Sequence, residues 1–247
     1  MIPLVGFLIA AVVGLTGVGA GSVTAPVLIL FCAQSPASAV GTSLVFSFAI
    51  KAVVAPVYLR RGQVSAPVLA ILCLGGVPGV LLGTTILGFL RAPQYQPAIL
   101  LLVGLTISAM AVFNLYRLMR NPYETVGKDR RHWLPWVAGL IGAEAGFSSA
   151  GTGALGTVIL MSWTSLKPRE VVGTDLWFGL VVSTFGAGWH FSKGDYNSAL
   201  MWKLAAGGLP GILGGAALSS RLPPRPLKLV LSVLLCVLGV GLCLRAL

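Results

Sequence analysis

Acidic residues are scarce in this sequence: six Asp and Glu among 247 residues, against 17 Lys and Arg. Charged residues of both signs make up only 9% of the chain, where an ordinary soluble domain carries roughly 25%. So little charge cannot cover a water-soluble surface, and disorder needs the opposite composition, so both classes are excluded. Cysteine occurs four times, and Cys32, Cys73, Cys236 and Cys243 all lie in or beside apolar runs. Their spacing fits neither a disulfide framework nor a zinc site, so they read as small apolar residues, and no metal or cofactor is expected.

Apolar residues, in contrast, reach 56%, mean hydropathy is +0.93, and there are 32 Gly and 15 Pro. This is the composition of an all-α polytopic membrane protein, whose packed helices tolerate glycine and proline. The net charge of +11 does not point to nucleic acid, because the basic residues sit mainly in short loops between apolar runs, as the positive-inside bias requires. No basic stretch precedes the first apolar run, which reads as part of the mature fold and not as a cleaved signal.

The apolar runs fall at about 3–33, 37–59, 64–88, 98–118, 135–163, 170–191, 196–218 and 227–246. Six have the length of a single helical span, roughly 20 residues. Two, 3–33 and 135–163, would make continuous helices of about 45 Å, longer than the hydrocarbon core. Both are broken in the middle, by Gly14-Leu-Thr-Gly-Val-Gly-Ala-Gly21 and by Gly146-Phe-Ser-Ser-Ala-Gly-Thr-Gly153.

A shift of 132 residues superimposes the two halves without a gap. It aligns Gly14, Gly19 and Gly21 with Gly146, Gly151 and Gly153, and Val40-Gly-Thr42 with Val172-Gly-Thr174. Further on it aligns Gly75-Gly76 with Gly207-Gly208, and Pro78-Gly79 with Pro210-Gly211. The matches concentrate on residues with backbone roles, which marks a duplication of the kind seen in secondary transporters. The organisation expected is a first membrane repeat at 1–118, a basic cytoplasmic linker at 119–134 and a second membrane repeat at 135–247.

Charge counting chooses between two topologies. If each long run crosses the membrane once, the repeats are parallel and the loop cations divide nine inside to six outside. If each is a hairpin of two half-helices, the repeats are inverted. Arg60, Arg61, the linker's Arg117, Arg120, Lys128, Arg130 and Arg131, and Lys167, Arg169, Arg221, Arg225 and Lys228 are then inside. Only Arg91, Lys193 and Arg245 remain outside, so the charge bias favours inversion. Each repeat then holds a glycine-broken re-entrant hairpin and three transmembrane helices.

Each break exposes the N-terminus of a short helix near mid-membrane, with unpaired N–H groups and a partial positive charge suited to an anion. The candidate substrate-binding residues are Gly19, Gly21, Ser22, Thr24, Ser149, Gly151, Thr152 and Gly153. To them are added Thr42, Ser43 and Thr174, whose hydroxyls either reach a substrate or bond to backbone. Glycines spaced by four, at 75, 79 and 83 and at 207, 211 and 215, read as close helix contacts. Charges within spans are functional candidates, so Glu144, Asp175 and Lys51 are charge or coupling residues, for protons or sodium. His190, at a span end before Ser192-Lys193, reads as a surface histidine. No catalytic constellation stands out, so no enzyme activity is expected.

The string Gly17-Val-Gly-Ala-Gly-Ser-Val-Thr-Ala-Pro26-Val-Leu28 resembles the glycine-rich first segment of the sulfite exporter TauE/SafE family, and Val40-Gly-Thr-Ser-Leu44 is similar to its next motif. Tyr58-Leu-Arg-Arg-Gly-Gln-Val64, followed by Leu74-Gly-Gly-Val-Pro-Gly-Val-Leu-Leu-Gly83, resembles that family's loop and following helix. The resemblance implies export or uptake of small sulfur anions such as sulfite or organosulfonates. The expected function is thus a multi-pass transporter of the inner (plasma) membrane, with a small anion and the lipid bilayer as partners and no nucleic acid. An anion channel, or a non-transporting membrane subunit or enzyme, is the alternative.

Overall fold

The computed structural model describes residues 2–16, 19–90, 92–119, 130–218 and 224–246. Among them are ten α-helices and no strand. The first half gives α1 (Ile2–Thr16), α2 (Gly21–Phe31), α3 (Pro36–Arg60), α4 (Ala66–Phe89) and α5 (Gln96–Met119). The second gives α6 (Leu134–Ser148), α7 (Ala154–Trp163), α8 (Pro168–Lys193), α9 (Ser198–Leu218) and α10 (Pro224–Ala246). The two long apolar runs are each split, at the glycine-rich breaks, into α1 with α2 and α6 with α7. Gly17 and Val18 of the first break, and Arg91, Arg120, Lys128 and Arg221 of the charge count, lie outside the described residues.

Local chemistry sets the helix starts. Ser35 caps α3, with Pro36 in its first turn, where the missing N–H costs nothing. In α8, Pro168 plays that part, and the Glu170 carboxylate accepts the Lys167 N–H at 2.9 Å. Five helices, within α3, α4, α5, α8 and α10, are long and apolar enough to cross a membrane. Helix α9, the equivalent of α4, has 21 residues, about 32 Å at 1.5 Å per residue. Large apolar side chains point outward, among them Leu74, Phe89, Trp136, Leu140 and Trp202, as a lipid-facing surface requires.

Equivalent helices run antiparallel. Along α3 and α8, Gly41 lies against His190, Leu44 against Gly186, Lys51 against Gly179, and the Ala55 carbonyl accepts the Trp177 indole N–H. Along α5 and α10, Gly104 meets Cys243 while Ser108 meets Gly239. Antiparallel equivalents are what an inverted repeat requires. The chain then alternates in direction from α1 to α10, with each hairpin returning to the side from which it entered.

Each hairpin packs in the opposite half. Pro3, Phe7 and Ala11 of α1 face Gly207, Gly211 and Gly215 of α9, and Pro135, Gly139 and Ala143 of α6 face Gly75, Gly79 and Gly83 of α4. A Cβ at any of these six stripe glycines would strike the facing backbone, so only glycine permits the approach. The same 132-residue shift relates the two contact sets. It also relates Phe46, whose fully buried ring sits against Gly208, to Phe178 against Gly76.

Candidate functional site

The two breaks meet. A Cβ on Gly19 would collide with the Thr152 carbonyl, and one on Gly21 with the Ser149 carbonyl and hydroxyl. The first hairpin tip, 19–21, is therefore in backbone contact with the second, 149–153. Both are buried among helices, the condition under which non-helical backbone is tolerated at membrane depth. The second turn is sharper. Ser149 ends α6 in the left-handed region at φ 67°, and Gly153 precedes α7 at φ 106°, which a side chain rarely adopts.

Around the tips lies a ring of buried polar groups. The Ser43 and Ser149 hydroxyls are 2.7 Å apart, and Ser43 also donates to the Gly21 carbonyl at 3.3 Å. Lys51 is 4% exposed; its ammonium donates to the Thr152 hydroxyl at 3.2 Å and interacts with the Asp175 carboxylate. Asp175 Oδ2 accepts the Thr157 hydroxyl at 2.8 Å, and Oδ1 faces Gly156, so this carboxylate lies over the first turn of α7. The Ser148 hydroxyl donates to Glu144 Oε1 and accepts the Ala150 N–H at 3.1 Å. Glu144 Oε2 is buried against Gly151 and has no hydrogen-bond partner among the described residues.

The two half-helix N-termini thus differ in their surroundings. Over the start of α7 stands Asp175; over the start of α2 stands its repeat equivalent, Ser43, which is neutral. Ser22 and Thr24 turn their hydroxyls back to the Gly19 and Ala20 carbonyls at 2.7 and 2.8 Å. A carboxylate already complements the partial positive charge at α7, whereas at the start of α2 the described residues bring hydroxyls and, across Thr152, the Lys51 ammonium.

Several expected residues sit elsewhere in the network. The Thr42 hydroxyl accepts the Asn197 N–H at 2.8 Å, and Thr174 accepts the Ser65 N–H at 3.0 Å. Each ties the loop before the other repeat's fourth helix to the bundle. Lys51 does not reach toward the membrane surface. His190 is not a surface residue: it is 1% exposed, with its ring packed on Gly41. The cause is steric: glycine at 41 leaves room for the imidazole between α3 and α8. Two participants, Ser148 and Thr157, were not among the candidates; their spacing of four from Glu144 and from Gly153, one helical turn, was the available signal. The four cysteines are free and partly buried, and the described residues hold no group of three or more metal-ligating side chains.

The family model described as "Sulfite exporter TauE/SafE" matches residues 2–242, which takes in both hairpins and their contact. The chain belongs to the sulfite exporter TauE/SafE family. Among curated proteins, it is similar to the probable membrane transporter protein YjnA of Bacillus subtilis (strain 168), with 28% identity over 248 residues, 97% of each chain. No solved structure matches the chain. The TauE/SafE family match and the fold agree on a multi-pass membrane protein of the transporter class.

Proposed function

We propose that this chain carries small sulfur-containing anions, such as sulfite or organosulfonates, across the inner (plasma) membrane by alternating access. The observation that carries the reading is the contact of the two hairpin tips, on which Ser43, Ser149, Thr152 and Lys51 converge. An anion leaving water needs its hydration shell replaced by donors and its charge offset, or desolvation keeps it out. Backbone N–H groups of Gly19–Gly21, three hydroxyls and one ammonium meet both needs. Several converging donors suit an oxyanion with three oxygens, and charge-assisted bonds are the strong ones.

The hairpins enter from opposite sides, which provides the gates. The first, from α1 to α2, returns to the side of the α3 start; the second, from α6 to α7, returns to the side of the linker. With the tips touching, both routes are shut. Withdrawal of one tip opens the seat to that hairpin's own side while the other tip stays as a floor. The cation-rich loops on the linker side support a cytoplasmic location for that side.

The test is uptake into proteoliposomes of labelled sulfite, isethionate and chloride. Saturable flux of a sulfur anion, lost in Lys51→Met, is expected. Absence of saturable flux for every anion, or discrete channel currents in place of turnover, overturns the reading.

A further inference from the structure

We propose that Glu144 is the proton latch of the second hairpin: it is protonated while the second hairpin tip is seated and exchanges its proton with the linker side when the tip withdraws, so that opening of this gate answers to pH on that side. The proposal deepens the transport reading and rests on it.

Among the described residues no cation bonds to Glu144; the buried ammonium that comes to the same tip, Lys51, is bonded to Thr152. Its own helix, α6, has no other ionisable residue, and neither α2 nor α7 has any. In α4 the only ionisable group is Cys73, near the Gly75–Pro135 end of the contact, nine residues' worth of helix away from Glu144 on the facing α6. In α5 none occurs from 96 to 115. The buried groups that α3 and α8 bring to the tips are Lys51 and Asp175, which already interact with each other, and Asp175 is turned to Thr157 on α7. His190 lies further along α8, against Gly41. Arg131 and His132 precede α6, at its opposite end. A carboxylate here would therefore be buried with one oxygen unpaired and no cation bonded to it among the described residues, a costly arrangement for a charge. A proton on Oε1 removes the charge. It makes Oε1 the donor to Ser148 Oγ and leaves Oε2 a neutral carbonyl oxygen, which tolerates the lack of a partner far better.

Ser148 links this state to the tip. Its oxygen accepts the Ala150 N–H, and Oε2 of Glu144 rests on Gly151, so residues 150 and 151 are held from α6 through one carboxyl group. On withdrawal of the tip, water reaches the carboxyl, the Oε1–H bond breaks and the proton passes to water. Reseating takes a proton back from that same side, so the carboxyl leaves and regains its neutral state without a proton crossing the membrane.

Two measurements test this. Infrared difference spectra of the purified protein should show a carboxylic-acid C=O band that Glu144→Gln removes and Asp175→Asn leaves in place. Ser148→Ala, which keeps the acid, should shift that band. In proteoliposomes, exchange of labelled for unlabelled isethionate, which stays ionised throughout, should slow as pH falls, because a protonated Glu144 keeps the tip seated. Glu144→Gln should retain exchange and lose that pH dependence. A band unchanged by Glu144→Gln, or an unaltered pH dependence of exchange in that variant, overturns the proposal. A band unmoved by Ser148→Ala overturns the link to the tip. If the wild type moves no anion, the transport reading falls, and the infrared band alone decides whether Glu144 holds a proton.

Discussion

Adding one methyl group at Gly21 should part the two hairpin tips. The Cβ of Gly21→Ala would fall 2.9 Å from the Ser149 carbonyl carbon and closer still to its oxygen, where ordinary contact begins at 3.4 Å. The facing backbone must therefore retreat by at least 0.5 Å, the difference between those two values. Overpacking of this kind costs about 1–3 kcal/mol. The Ser149 backbone is no flexible side-chain end, and it is also tied to Ser43. A destabilisation of that size shifts the balance between touching and separated tips by roughly 5–150-fold. The assay is thiol labelling of Ser149→Cys, with Cys32, Cys73, Cys236 and Cys243 replaced by serine, in backgrounds with and without Gly21→Ala. The labelling rate should rise within that range. Gly88→Ala serves as control, because nothing lies within 4 Å of its Cβ position. An equal labelling rate in both backgrounds, with the variant folded, would refute tip contact as the closed state.

Three further outcomes follow from the packing. Lys51→Met and Asp175→Asn, combined in a double-mutant cycle of thermal unfolding in detergent, should show coupling of about 0.5–3 kcal/mol, and strict additivity would separate the two residues. Thr42→Val and Thr174→Val should each destabilise by about 1–3 kcal/mol, because each strands a backbone N–H, that of Asn197 or Ser65; grossly unequal effects would break the equivalence of the repeats. Gly79→Ala, directed at the Gly139 carbonyl, should lower the unfolding midpoint while Gly88→Ala leaves it in place, and equal midpoints would contradict the α4–α6 contact.

The halves, their breaks and their equivalence were legible because they are written in residue types with backbone consequences. Gly14 and Gly146 not only align but meet equivalent partners, Ile212 and Val80, under the same shift. The inverted topology was legible in where the cations lie, since loop charge is a one-dimensional signal. What the side chains of the site touch was not. Any Ser or Thr in a helix can bond to a carbonyl three or four residues back, so Ser22 and Thr24 look the same in sequence whether they face a ligand or their own backbone. The burial of His190 depends on Gly41 in the other half, and the posting of Asp175 over α7 on a turn at Gly153 whose direction no periodicity encodes. Unequal charge at equivalent positions, Asp175 against Ser43 and Lys51 against Ser183, was the visible hint that the halves had taken different tasks.

The crossing of hairpins between halves bears on where such a chain comes from. A single unduplicated copy would hold a glycine stripe with nothing of its own to fill it, and a broken leg with no groove. It could be complete only beside a sister copy threaded into the same bilayer the other way up. Fusion of the two made that partnership permanent, and freed Lys51, Asp175 and Glu144 to arise on one side without being mirrored on the other.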